Sequence, residues 1–361
     1  MIESDSLMSM RFQSEKVAVI NSLRPKLVCF FLIFAPVLAG CDSASPGPDL
    51  DDVFSRAEGM TNLKSLIVYK DGHILREEYY NGGHADSSHD VRSVTKSVMS
   101  TLIGIAIGEA LIDSVDQNIG DLLGWMVESI DSAKARITLA QVLSMTSGLE
   151  GDELASVTEY SNWYNAPDQL IFTLNRPLVH TPGTFFTYNS GVAHLSSAIL
   201  TRVSGMSTFQ FAKQHLFSPL GIADHYWGTD KRGINNGGAA LKLTPHDMLK
   251  IGQLYLNRGL YNGRRVLSEN WIDEATSHKI TPTNVMPFAQ GYGYYWWIGS
   301  LNSHDYFFAN GWGGQFIIIV PELELVVVAT NRWSGLSDSI AQQQWYDTVS
   351  LIMNGIIAAY G

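Results

Sequence analysis

The stretch His89–Ser100 reads HDVRSVTKSVMS and sets Ser93 and Lys96 three residues apart, where a long apolar run begins. From Ser93 to about Leu111 the apolar residues Val94, Val98, Met99, Leu102, Ile103, Ile105, Ala106 and Ile107 fall on nearly every face of a helix. A helix that is apolar all round is central and buried. A hydroxyl and an amine at its head therefore need partners, because a buried charge without one is costly.

A serine hydroxyl is a weak nucleophile until a base takes its proton. Residues three apart lie on one side of a helix, so Lys96 can reach Ser93. The helix start also supplies partial positive charge and a free Ser93 N–H, one arm of an oxyanion hole. The motif is weak alone, since a chain with this many serines and lysines holds about one Ser-x-x-Lys by chance. The competing reading makes Ser93 a helix N-cap and Lys96 a solvated first-turn residue.

Two further stretches offer partners. TPGTFFTYNSGVAHLSSAIL puts Tyr188-Asn189-Ser190 in a loop before an apolar helix. A tyrosine beside an ammonium is expected to titrate lower, so that its phenolate becomes accessible as a base. FFANGWGGQFIIIVP puts Gly311, Gly313 and Gly314 in what is otherwise a strand. Glycine in a strand often marks close approach of a backbone or ligand. The alternatives are a core tyrosine at Tyr188 and a simple turn or bulge at the glycines.

The remaining chain frames these stretches. It has 361 residues, 45% hydrophobic and 16% charged, with a formal charge of −11. That is globular composition, and the acidic balance argues against nucleic acid as a partner. Asp71-Gly72 between β-rich runs at 65–80 predicts a hairpin. Helices are expected at 137–145 and 244–259, and strands at 291–299, 305–312, 315–321 and 323–331, before a last amphipathic helix at 337–358. The expected fold is α/β (α+β): one antiparallel sheet formed from both chain ends and flanked by helices, with a mainly helical subdomain inserted at roughly 110–275. The dense aromatics Tyr292, Tyr294, Tyr295, Trp296 and Trp297 read as sheet core. His180 and His194 lack metal-like spacing, and no metal or organic cofactor is expected.

The N-terminal region reads separately. Residues 27–40, LVCFFLIFAPVLAG, follow Arg24 and Lys26 and end in small residues, as a secretory signal peptide does. Leu38-Ala39-Gly40-Cys41 resembles a bacterial lipobox. That implies cleavage before Cys41, lipidation of its sulfur, and export to the cell envelope on a lipid anchor. Residues 1–40 are thus expected to be the leader, 41–52 a lipidated cysteine and tether, and 53–361 the globular domain.

Ser93-Val-Thr-Lys96, then Tyr188-Asn-Ser190, then a Gly-rich strand resembles the serine β-lactamase and penicillin-binding-protein superfamily. The likeness is to its class C branch and the esterase and 6-aminohexanoate-dimer-hydrolase-like relatives. ITLAQVLSMTSGLEG, LFSPLGIADHYWG and GYGYYWWIG support it over about 53–361. The resemblance implies Ser93 as acylated nucleophile, Lys96 as its proton partner, and Tyr188 as general base and then acid. It places Ala309-Asn310-Gly311 at the third motif, with Trp312 N–H as second oxyanion donor; an alternative register uses Gln315 N–H. Ser190, Asn310 and Gly311 become the substrate-binding positions. Neither register supplies the cation that holds a substrate carboxylate in β-lactamases and DD-peptidases. The expected activity is therefore hydrolysis of a small-molecule ester or neutral amide. A β-lactamase or DD-peptidase acting on penicillin or peptidoglycan, and a catalytically silent envelope binding protein, are the rival readings.

Overall fold

The computed structural model describes residues 49–223, 226–283 and 286–360. Helix α1 (Leu50–Glu58) starts where a tether was expected. Asp49 caps it by accepting from the Asp51 and Asp52 N–H groups, and Val53, Phe54 and Ala57 are buried. The acidic run Asp49–Asp52 is thus a cap and first turn, favoured by the positive end of the helix dipole. Cys41 and the leader lie outside the described residues.

Strands β1 (Leu63–Lys70) and β2 (His73–Tyr79) form the hairpin expected at Asp71-Gly72, both of which adopt positive φ. Helix α2 (Val94–Gly108) follows, and every residue from Val94 to Ala106 is buried. Helix α3 (Leu139–Leu143) is shorter than expected, closed at its start by a Thr138/Gln141 capping box. Then come α4 (Thr158–Tyr164), α5 (Ser190–Ser204) and α6 (Pro245–Leu256).

The chain returns to the sheet through β3 (Gly291–Tyr292), β4 (Trp297–Leu301), β5 (His304–Gly311), β6 (Gln315–Val320) and β7 (Leu325–Asn331), and ends in α7 (Asp338–Gly355). The seven strands form one sheet in the order β2-β1-β7-β6-β5-β4-β3, with every pair antiparallel. Both chain ends therefore build it, and β1 pairs with β7 from Leu63↔Asn331 to Lys70↔Leu325.

Two details differ from expectation. The run at 291–299 is a tight hairpin rather than one strand: Tyr292 pairs with Trp297, and Tyr295 takes a positive φ in the turn. The intervening Gly293 lies where a Cβ would meet the Ala275 carbonyl at 2.1 Å. Helix α6, inside the segment expected to be a separate subdomain, packs on the sheet instead. A Cβ on its Gly252 would press into Val326 and Ile317.

Candidate active site

Ser93 opens α2 without a side-chain capping bond, so its hydroxyl is not committed to the helix. Arg92 before it takes φ +51, an uncommon conformation for a residue with a side chain, held by its N–H donating to Asp90 Oδ1 at 2.9 Å. This turn delivers Ser93 to the head of a buried helix.

Lys96 is 1% exposed, and its Nζ has three oxygen neighbours, each at 2.9 Å: Ser93 Oγ, Ser190 Oγ and the Gly238 carbonyl. The ammonium also sits over the Tyr188 ring, 4.7 Å from its centre. Burial pulls the Lys96 pKa down to about 8; Glu153 opposes the shift and Arg92 adds to it. The solvated first-turn reading of Lys96 fails for this reason.

Tyr188 faces the Ser93 hydroxyl, but its titration runs opposite to expectation. Burial raises its pKa well beyond the ordinary phenol value, and the hydrogen bond with Ser93 offsets only part of that. Tyr188 is thus a neutral phenol at physiological pH. Its ring is stacked on Trp297 at 5.7 Å and meets Tyr292 edge-on at 6.4 Å. The aromatic run forms the core that fixes the tyrosine; Tyr292, Tyr294, Tyr295, Trp296 and Trp297 are all buried.

Ser190 is fully buried, so it is not a substrate contact. Its hydroxyl accepts from Lys96 and donates to Glu153 Oε2 at 2.9 Å, while its N–H donates to Glu153 Oε1 at 2.5 Å. The Glu153 N–H in turn donates to the Tyr188 carbonyl at 2.9 Å. Asn189 caps α5 through Val192 N–H and donates to the Glu150 carbonyl.

The residue before Gly238 is held by a separate buried pair. His194 Nε2 lies 3.0 Å from Asp230 Oδ2, and Gly237 N–H donates to His194 Nδ1 at 3.3 Å. That donation assigns the ring proton to Nε2. Burial pushes Asp230 up, but His194 and the N–H groups of Ile234 and Arg232 outweigh it and hold the carboxyl below its ordinary value.

On the other side, a Cβ on Gly311 would stand 2.3 Å from the Val91 carbonyl. The end of β5 therefore passes directly against the turn that presents Ser93. This close approach matches the register in which Gly311 closes the third motif and Trp312 follows. Among the described residues, neither the Ser93 nor the Trp312 N–H has an acceptor. Gln315, whose N–H is the alternative donor, opens β6 opposite Gly311, and its side-chain amide is bonded at both ends to the Asn331 backbone. The Asn310 side chain is not offered to a substrate either: it accepts from Trp345 Nε1 and donates to Met286 sulfur.

No cation stands at Ala309, Asn310 or Trp312, yet one flanks the nucleophile. The Arg92 guanidinium lies between the Trp333 ring, at 4.4 Å, and the Tyr160 ring, at 5.0 Å, with Asp90 3.8 Å away. Sequence reasoning missed Glu153, Gly238 and this use of Arg92. The acidic LEGDE run was the only signal for Glu153, and Gly238 acts through its backbone. Among the described residues no His/Cys/Asp/Glu cluster is arranged to hold a metal.

Known proteins resemble this chain in sequence and in fold. The family model described as Beta-lactamase matches residues 57–346. A 6-aminohexanoate-dimer hydrolase of Paenarthrobacter ureafaciens is 24% identical over 310 residues, covering 79% of this chain and 76% of that protein. The octameric penicillin-binding protein homologue from Pyrococcus abyssi superposes with a TM-score of 0.66 at 19% identity, over 85% of this chain and 78% of its own. A penicillin-binding protein from Bacillus halodurans gives 0.64 at 16%, over 84% and 98%.

Proposed function

The chain belongs to the beta-lactamase family, and from that premise we propose that this serine hydrolase cleaves an ester or amide through an acyl-enzyme on Ser93. The observation that carries the reading is the 2.9 Å contact between Lys96 Nζ and Ser93 Oγ inside a buried site. A lysine held near pKa 8 is partly a free amine at neutral pH. As an amine it accepts the Ser93 proton while Oγ attacks the carbonyl carbon. The Ser93 and Trp312 N–H groups receive the developing oxyanion. Tyr188, a neutral phenol beside Ser93, passes a proton to the leaving group rather than serving as a phenolate base. The Tyr188 oxygen is reprotonated by the proton that Lys96 took from Ser93, so Lys96 is again a free amine. It then takes a proton from the water that attacks the acyl-enzyme and returns it to Ser93 Oγ as the acyl product leaves.

The substrate follows from charge. The third motif lacks a cation, and Arg92 is already stacked on two rings and faces Asp90. Esters and linear amides without an obligatory carboxylate contact fit this cleft, and the likeness to a 6-aminohexanoate-dimer hydrolase favours linear amides among them. A fluorophosphonate probe followed by a panel of short acyl esters, linear amides and nitrocefin tests the class, with Ser93→Ala as control.

Anchoring through Cys41 belongs to the same proposal and rests on the sequence Leu38-Ala39-Gly40-Cys41. The site then works at a bacterial membrane surface. Mass spectrometry of the mature N-terminus should find acylated Cys41; an unmodified N-terminus elsewhere contradicts the anchor.

A further inference from the structure

Lys96, Ser190 and Glu153 form a directed line. Lys96 Nζ donates to Ser190 Oγ, and Ser190 Oγ donates to Glu153 Oε2, at 2.9 Å in each case. The carboxylate is fixed by a second bond from the Ser190 N–H and by its own N–H on the Tyr188 carbonyl. Glu153 also borders a crevice of about 10 Å³ with Glu150, Arg176 and Asn189. That is room for about one water, away from Ser93.

We infer that Glu153 is a positioning residue that stores the Lys96 proton, received through the Ser190 hydroxyl, so that Lys96 becomes a free amine without releasing a proton to solvent. This rests on the reading of Lys96 as the base for Ser93. The step is balanced. One proton leaves Nζ for Ser190 Oγ as the Ser190 proton leaves for Oε2, converting ammonium and carboxylate into amine and carboxylic acid. No heavy-atom bond changes, and the hydroxyl is restored.

The surroundings lower the cost of that exchange. Burial raises the Glu153 pKa, opposed by Lys96, by the two bonds from Ser190 and by Arg92. Burial lowers that of Lys96. The two groups are thereby drawn together, as a proton exchange between them requires. The other charged groups facing Glu153 do not cancel this. Arg92, before α2, acts on both partners, and Tyr160 of α4 feels both Arg92 and Glu153. Across the crevice, Arg176 is paired with Glu159 and Glu150 at 2.9 and 3.1 Å. Asp152 lies beside Glu153 in the same loop and caps Leu154 N–H.

The direction of one pH shift tests the wire. With the wire intact, the pair holds one proton between them. Turnover stops only when it takes up a second from solvent and leaves an ammonium beside a protonated carboxyl, so the acid limb of kcat/KM reports the carboxyl and lies below neutrality. With the wire cut, Lys96 must give its proton to solvent, and the limb reports the amine. Glu153→Gln and Ser190→Ala should each move the acid limb upward by at least about one unit with p-nitrophenyl butyrate, and Glu153→Asp should keep it near the wild-type position. If Glu153 merely sits beside Lys96, its removal withdraws an influence that raises the amine pKa, and the limb moves down. A downward or absent shift in both variants overturns the inference. Should Glu153→Gln fail to fold by circular dichroism, Ser190→Ala decides alone, since it leaves the carboxylate in place. Should turnover fall too low to follow, the pH dependence of fluorophosphonate labelling reads the same limb. Retained turnover in Ser93→Ala would instead remove the proposed function itself, whatever the limb does.

Discussion

Gly311 passes so near Val91 that a single added methyl would stand 2.3 Å from the Val91 carbonyl oxygen. The contact joins the last turn of β5 to the segment that carries Ser93, and so couples the two halves of the proposed oxyanion hole. Gly311→Ala must push these backbones apart. Overpacking of this kind costs about 1–3 kcal/mol. A displacement of about 1 Å at a reacting centre costs about 10²-fold in rate. The variant should fold with a lowered Tm and lose at least about 10²-fold in kcat/KM; wild-type activity would place the oxyanion hole elsewhere.

Lys96 carries a stability cost along with its proposed chemistry. Its pKa is held down to about 8 by burial, against an ordinary value of about 10.4. The folded state thus disfavours the charge, and the penalty is present at neutral pH and relieved as pH rises from about 8 toward 10.4. Lys96→Met removes the penalty along with the base. Its Tm at pH 7 should hold or rise while kcat/KM falls at least about 10³-fold. A steep loss of Tm would make Lys96 mainly a structural partner of Glu153.

Asp230 gives a pH signature of a different sign. Its folded pKa is depressed, so its contribution is present above the ordinary carboxyl value of about 3.9 and is lost as pH falls through the folded value. Asp230→Asn should cost about 1–3 kcal/mol at pH 7. The gap in Tm between wild type and variant should narrow below about pH 4. A gap that stays constant with pH would show that the charge on Asp230 contributes nothing.

Substrate choice follows from the missing third-motif cation. A charge-assisted hydrogen bond to a carboxylate contributes about 1.5–3 kcal/mol, and about 1.4 kcal/mol is one decade in rate. A neutral ester such as p-nitrophenyl butyrate should therefore exceed benzylpenicillin at least about tenfold in kcat/KM. The reverse order would mean that Arg92 leaves Asp90 to take the carboxylate, and Arg92→Leu would then abolish the preference.

The sequence carried the sheet and the local motifs, because those signals are short in range. The hairpin at Asp71-Gly72 and the all-apolar α2 follow from periodicity and turn chemistry. Ser93 and Lys96 meet because three residues is nearly one helical turn. Tyr188 could be named, but not its protonation state, since the aromatic packing that buries it is assembled from Trp297 and Tyr292, a hundred residues on. Ser190 and Asn310 were read as substrate contacts because spacing does not show which way a side chain turns. Ser190 turns inward to Lys96 and Glu153, and Asn310 turns to Trp345. Glu153 and the Gly238 carbonyl reach the site through loops, where no periodicity announces a destination.

Everything proposed for the site requires that Ser93 become acylated. Intact mass and peptide mapping after reaction with a fluorophosphonate test it most directly. One adduct per chain is expected, on the peptide that holds Ser93, and none in Ser93→Ala, which also loses turnover. An adduct on another residue, or ester hydrolysis by Ser93→Ala at the wild-type rate, would contradict it.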